Sequence, residues 1–293
     1  YDANTDALAA DITLSNLVSG EALNHSGTAT ISSANAGSYT ITNLAGITIA
    51  DGSGGTASNY TLTGGTHNFT TNQRPLNAIL ARQYDGTLNA AGSDLSSFDA
   101  LQGGETLTLG GSGSAVNDNV ANGIAVSSLG TLALINGTGL ASNYSLNSAV
   151  INITQRVLNS SGSKAYDANT NALAADITLS NLVSGETLNH SGTASISSAN
   201  AGSYTITNLA GITLADNAGL ASNYTLTGGT HNFTVNPKVI SLSGSRLYDA
   251  TTDAVASDLT TISGLVGSET LNLSGTGSVT NANVASNKTV TLG

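Results

Sequence analysis

The sequence has no cysteine, no methionine and no tryptophan, and only two prolines among 293 residues. Without cysteine there are no disulfides and no thiolate metal sites, and such a chain is compatible with export in an unfolded state. Aromatic residues make up 4% of the chain. A core must therefore be assembled from Ala, Val, Ile and Leu with a few Tyr. Positive charge is scarce: seven Lys and Arg against eighteen Asp and Glu give a net charge of −11 and a pI near 4.3. A phosphate backbone would meet a repelling surface, which argues against a nucleic-acid partner. No apolar run reaches the roughly 18 residues that span a bilayer, and no signal peptide is present. Membrane insertion is not expected.

What is present is repetition. Tyr-Asp falls at Tyr1, Tyr84, Tyr166 and Tyr248, and a pair of cations recurs as Arg74 and Arg82, Arg156 and Lys164, Lys238 and Arg246. The first cation of each pair is 82 residues from the next, 74 to 156 to 238. Twelve of the eighteen acids occupy three recurring positions, after the Tyr, ten residues on (Asp11, Asp94, Asp176, Asp258), and at Glu21, Glu105, Glu186 and Glu269. Residues 1–51 reappear from 166 with four substitutions, whereas the second and fourth copies share an extra residue before the Glu. The order is A, B, A, B, as expected where length matters more than a unique site. The repeats run 1–73 (A-type, without its first strand), 74–155 (B-type), 156–237 (A-type) and 238–293 (B-type, short of its end). Starting on a repeat residue and stopping mid-pattern, the sequence reads as a piece of a longer protein.

Period-two alternation bounded by Gly, Asn and Ser turns predicts strands at 11–17, 22–32, 38–44, 46–51, 59–64, 66–72 and 74–84, with no helical stripe. The fold class expected is all-β, a tandem array of small sandwich-like modules, Ig-like or β-grasp-like, each spanning roughly 35 to 45 Å and together an elongated rod. A continuous β-solenoid is the alternative, since 82 is close to four coils of about twenty residues.

These residues resemble a known family. YDG at 84–86, with YDAN or YDAT at the other copies, then SGE or GGE, then ASNY at 57–60, 141–144 and 221–224, is similar to the YDG-type repeat of very large bacterial surface proteins. Filamentous-haemagglutinin-like exoproteins of two-partner secretion systems are the notable carriers. The resemblance implies secretion, β-rich stalks and roles in adhesion or biofilm matrix, and it implies no catalytic residues. Three copies carry Ala3, Ala168 or Ala250 in place of the Gly, so the third position need not take a positive φ there.

The acids are candidates for calcium, which takes six to eight oxygen ligands. Asp2, Asp11 and Glu21, with Asp85, Asp94, Glu105, Asp167, Asp176 and Glu186, are the positions that would have to converge. In the structural alternative Asp2 bonds its own turn as an Asx motif, Asp11 opens a strand and Glu21 sits at a hairpin. No compact DxDxDG loop is present, and no cofactor is expected. A glycosidase pair of carboxylates, repeated four times without a tryptophan platform, is not expected either. His25, His67, His190 and His231 lie without a second ligand at zinc spacing, and no GxSxG elbow offers a serine nucleophile. No enzyme activity is expected. Tyr39, Tyr204, Tyr60, Tyr144 and Tyr224 read as core rings with a hydroxyl for backbone, with carbohydrate stacking as the alternative.

The six paired cations, Arg74, Arg82, Arg156, Lys164, Lys238 and Arg246, are read as joint residues. Their strand buries its apolar middle, leaves its charged ends exposed and orients one repeat on the next. The partners expected are neighbouring repeats, further copies of the chain in a fibre, and matrix polysaccharide or cell-surface glycan. The function expected is a structural stalk of a secreted adhesin or matrix fibre at the bacterial surface. Direct glycan binding and fibre assembly by strand exchange are the alternatives.

Overall fold

The computed structural model describes residues 1–292 and is all-β. Short strands alternate with 3-10 turns, with no α-helix among those residues and no helix long and apolar enough to cross a membrane. The chain divides into two compact units, Tyr1–Gln155 and Arg156–Gly293, parting where the second and third repeats meet. Every strand pairing described lies inside one repeat. The sheets therefore close within a repeat, as tandem modules do, instead of running on as the coils of a solenoid.

The second repeat shows the module in full. Its first strand, Arg74–Gln83, lies parallel to its last, Tyr144–Thr154, from Arg74 beside Tyr144 to Gln83 beside Thr154. Parallel neighbours need a long crossover, and here the crossover is the rest of the module. The sheet runs Asn89–Ala91, Ser112–Ala115, Ala121–Ser128, Tyr144–Thr154, Arg74–Gln83, Leu95–Phe98. Its two end strands are joined by the single 3-10 turn Gly92–Asp94, so the sheet curls into a nearly closed barrel. A ribbon of Leu107–Gly110 and Ala133–Asn136 lies beside it. Alternation puts Leu76, Ala78 and Leu80 on one face of the first strand, and all three are fully buried. Ala149, Ile151 and Ile153 do the same on the last.

The third repeat repeats this order: Asn171–Leu173, Asn189–Ile196, Gly202–Asn208, His231–Asn236, Asn159–Ala165, Ile177–Ser180. In the first repeat the strands Leu23–Ile31, Gly37–Asn43, Ile47–Asp51 and Asn68–Thr71 form where expected. The strand Leu23–Ile31 bends at Gly27, whose φ is 103°. It pairs with Ile47–Asp51 up to Gly27 and with Asp6–Leu8 and Gly37–Asn43 beyond it. Of the expected strands there, 11–17 and 59–64 do not form. Near-identical residues in the third repeat do form strands, Ile177–Ser180 against Asn159–Ala165, and Tyr224–Thr225 against Arg156–Val157. The difference is the partner: among the described residues no first strand lies beside 11–17 or 59–64. Burial follows. Ile177, Tyr224 and Phe233 are buried, while their counterparts Ile12, Tyr60 and Phe69 are half-buried.

The third residue of the Tyr-Asp turn corrects an expectation. Ala3, Ala168 and Ala250 have φ of 64°, 62° and 65°, close to the 71° of Gly86. The turn keeps its left-handed residue whether or not the side chain suits it, because the flanking bonds fix the backbone. An L residue there carries strain that glycine does not. Ala168→Gly is therefore expected to stabilise the third repeat by about 0.5 to 1 kcal/mol, a rise of a few degrees in Tm. Calorimetry of the full chain checks this, and an unchanged or lower midpoint contradicts it.

Candidate functional site, the joint between consecutive repeats

Each Tyr-Asp turn is knotted by its own side chains. Asp2, Asp85, Asp167 and Asp249 each accept the backbone N–H two residues on, at 3.3, 3.0, 3.2 and 3.0 Å, which is an Asx turn. The cation two residues before the tyrosine closes the knot. Arg82 pairs with Asp85, Lys164 with Asp167 at 2.8 Å and Arg246 with Asp249 at 2.8 Å. Arg82 also donates to Thr87 O at 2.5 Å, Lys164 to Asn169 O at 2.9 Å and Arg246 to Thr251 O at 2.6 Å. These side chains do not stay wet as expected: Arg82 and Lys164 are 9% and 8% exposed, tucked along the sheet with their charge neutralised three residues away. Burial alone would raise the Asp167 carboxyl, yet bonds from Lys164 and Asn169 hold it below the usual range. For Asp249 the Thr251 backbone bond is the main cause of the same lowering.

The knot sets the tyrosine. Tyr1, Tyr84 and Tyr166 each donate their backbone N–H to the end of their own repeat's last strand, at Asn72 O (2.7 Å), Thr154 O (2.9 Å) and Asn236 O (2.9 Å). A second tyrosine, that of ASNY, sits inside the module. The 3-10 turns Ala141–Asn143 and Ala221–Asn223 deliver Tyr144 and Tyr224 into the core at 2% exposure. Their hydroxyls, like that of Tyr60, accept a backbone N–H at 3.1 Å, from Gln102, Val183 and Val18 respectively. Each donates in turn to the glutamate three residues further on: Tyr60 to Glu21, Tyr144 to Glu105, and Tyr224 to Glu186 at 2.6 Å.

That glutamate is where one repeat meets the next. Within the first unit, Tyr1 of the first repeat donates its hydroxyl to Glu105 Oε1 of the second, while Tyr144 holds Oε2. The two rings meet edge to face, centroids 5.4 Å apart and planes at 74°. Within the second unit, Tyr166 of the third repeat donates to Glu269 Oε1 of the fourth. Further bonds cross the first of these joints. Asn143, 1% exposed, accepts from Ala36 N–H at 2.9 Å and donates to Asn35 Oδ1 at 3.0 Å. Gln102 donates to Asp2 O at 2.9 Å, oriented by Arg74, whose Nη1 donates to its Oε1 at 3.0 Å and whose Nε donates to Ala100 O.

Arg156 instead fastens Asn181 within the third repeat, and no bond from Lys238 is described. Among the described residues no three Asp, Glu or His come together as a metal site. The Asp2-type acids lie in the knot, Asp11, Asp94 and Asp176 end 3-10 turns, and the Glu21-type acids take tyrosine hydroxyls. The histidines tie backbone. His25 and His190 donate from Nε2 to carbonyls of the Asp-bearing turn, and the buried His231 bonds Ser160 and Leu226 O.

A single signature thus recurs along the chain: Tyr-Asp and Glu in all four repeats, with the cation in the second to fourth and ASNY in the first three. The sequence model of the YDG domain matches residues 1–67, 72–151, 152–232 and 230–293. The chain belongs to the YDG domain family. No curated protein and no solved structure is a significant match to it. In these YDG repeats Tyr1 and Tyr166 are the residues that leave their own modules for the next. Sequence reasoning placed the joint on the cations and missed this role, along with those of Asn35, Ala36, Gln102 and Asn143. The signal was available in the fixed spacing of the tyrosines and the glutamate, which are too far apart in sequence to serve one turn.

The phenols carry the electrostatic mark of the arrangement. Burial and then the bonded Glu105 carboxylate push Tyr1 up to about 12. Burial and then Glu186 push Tyr224 to about 12, and Tyr144 moves up for the same two reasons, with Glu105 the carboxylate. For Tyr166 the bond to Glu269 is the larger cause. A raised folded-state value means that the neutral phenol is the stabilising form. Its contribution is whole below pH 10, the unfolded value, and is lost as pH rises towards 12. Difference titration of phenolate absorbance between the chain and its Tyr1→Phe variant is expected to place Tyr1 near pH 12, with amide protection at Gln102 and Glu105 lost in step. Ionisation of Tyr1 near pH 10 contradicts this.

Proposed function

We propose that the chain is a structural stalk segment of a secreted bacterial adhesin or matrix fibre, its repeats acting as small sandwich-like modules that project or bridge at the cell surface without catalysis. The observation that carries this reading is the repeated tyrosine-to-glutamate bond, Tyr1 to Glu105 and Tyr166 to Glu269, which links the first repeat to the second and the third to the fourth. Such links give orientation. A charge-assisted hydrogen bond is enough to bias an angle and modest beside the burial that folds a module. A net charge of −11 keeps such a chain soluble and discourages lateral collapse.

Small-angle scattering of the 293-residue chain tests the reading. A compact globule of this length has a radius of gyration of about 19 Å, whereas a stalk of end-to-end modules is expected at roughly 30 Å or more. A value near that of the globule overturns the proposal.

A further inference from the structure

The sequence holds two Asn-Gly pairs, Asn122-Gly123 and Asn136-Gly137, both in the second repeat. At such a pair the asparagine carboxamide is open to attack by the next backbone nitrogen, because glycine sets no side chain beside it. Both pairs are exposed. The fold nevertheless treats them differently.

Asn136 ends the strand Ala133–Asn136, and its Oδ1 accepts the backbone N–H of Ala141 at 2.7 Å. That N–H points at the oxygen on which negative charge gathers when the carboxamide carbon is attacked, so it stabilises the adduct. The attacking nitrogen belongs to Gly137, and no bond of its N–H is described. At the equivalent place in the first and third repeats the N–H is occupied: Gly52 donates to Gly55 O at 3.1 Å and Asn217 to Gly219 O at 3.0 Å. At the other Asn-Gly pair the Gly123 N–H donates to Asn152 Oδ1 at 2.7 Å. Glycine is also imposed at 137, since a Cβ there would lie 2.4 Å from Thr106 O.

The product of such an attack is already accommodated elsewhere in the chain. Asp51 and Asp216 take the place of Asn136 in the first and third repeats, and their Oδ1 atoms accept from Ala57 and Ala221 at the same 2.7 Å.

We infer that Asn136-Gly137 is a self-modification site at which the second repeat loses an amide and gains the carboxylate of its neighbours. Gly137 N bonds to Asn136 Cγ, the Cγ–Nδ2 bond breaks, and ammonia leaves with the proton of the Gly137 N–H, giving a cyclic imide. Water then opens the ring. Breaking the new Cγ–N bond leaves aspartate, which keeps the bond from Ala141. Breaking the original peptide bond leaves isoaspartate, whose main chain is one carbon longer and loosens the turn Ala141–Asn143 that delivers Tyr144 to Glu105. The joint between the first two repeats thereby carries a slow chemical change written into its own sequence.

The test holds the full chain in warm, mildly alkaline buffer and follows it by intact mass and peptide mapping. A gain of one mass unit is expected at position 136, as aspartate and isoaspartate, about tenfold faster than at 122, the worth of one hydrogen bond to a developing anion. Hydroxylamine, which cleaves the cyclic imide, is expected to split the folded chain between 136 and 137. In urea the two pairs are expected to convert alike, since only the fold distinguishes them. Ala141→Pro removes the donor where Leu140, at φ −88° and ψ 122°, already suits a following proline, and is expected to slow position 136 to the rate of 122. No mass gain at 136, equal rates at the two pairs in the folded chain, or an undiminished rate in a folded Ala141→Pro chain overturns the inference. If that variant does not fold, the comparison of the two pairs decides.

Discussion

One carboxylate accepting two phenol hydroxyls, each from a different repeat, is the interaction on which the rest of the arrangement depends. Glu105 takes Tyr144 from its own module and Tyr1 from the one before. Bonds to an ionised acceptor are roughly twice as strong as neutral ones, and phenols supply them without positive charge. That matters in a chain with seven cations and eighteen acids. Arginine and lysine are spent elsewhere, three of them closing Tyr-Asp turns by pairing with the aspartate. The cation therefore reaches the joint at second hand, by holding the turn that aims the tyrosine.

The joint and the fold share parts. In the second repeat the first strand leads into the Tyr-Asp turn and the last strand begins at the ASNY tyrosine, so the parallel pairing of these two strands positions both rings. In the second repeat this pairing covers Leu76, Ala78 and Leu80 with Ala149, Ile151 and Ile153. A core with no tryptophan and few aromatics gains from each tyrosine it buries. Tyr144 and Tyr224 serve as core and as cap to the Glu-bearing turn, and Tyr144 is also one arm of the joint.

Much of this was legible beforehand, for identifiable reasons. Period-two alternation located Leu23–Ile31, Gly37–Asn43, Ile47–Asp51, Asn68–Thr71 and Arg74–Gln83 because each has one face in a core. Alternation does not reveal whether a partner is present, which is why 11–17 and 59–64 read as strands and are not, while the same pattern at 177–180 is one. Composition placed alanine outside left-handed backbone, but Ala3, Ala168 and Ala250 are held there by the bonds around them, a tertiary override of local preference. Rarity marked the cations without saying what each touches: Arg74 orients Gln102 at the first joint, whereas Arg82, Lys164 and Arg246 close Tyr-Asp turns. Tyr1 to Glu105 spans 104 residues, and only the closed module brings the ends of that span together.

A double-mutant cycle between Tyr1 and Glu105 in the full chain measures the shared carboxylate directly. Opening free energies of the Gln102 and Glu105 amides are compared for Tyr1→Phe, Glu105→Gln and the pair together. If the bond links the repeats, the double variant loses little more than either single one, giving a coupling of about 1 kcal/mol or more. Additive losses, with no coupling between the two positions, contradict a joint built on that bond.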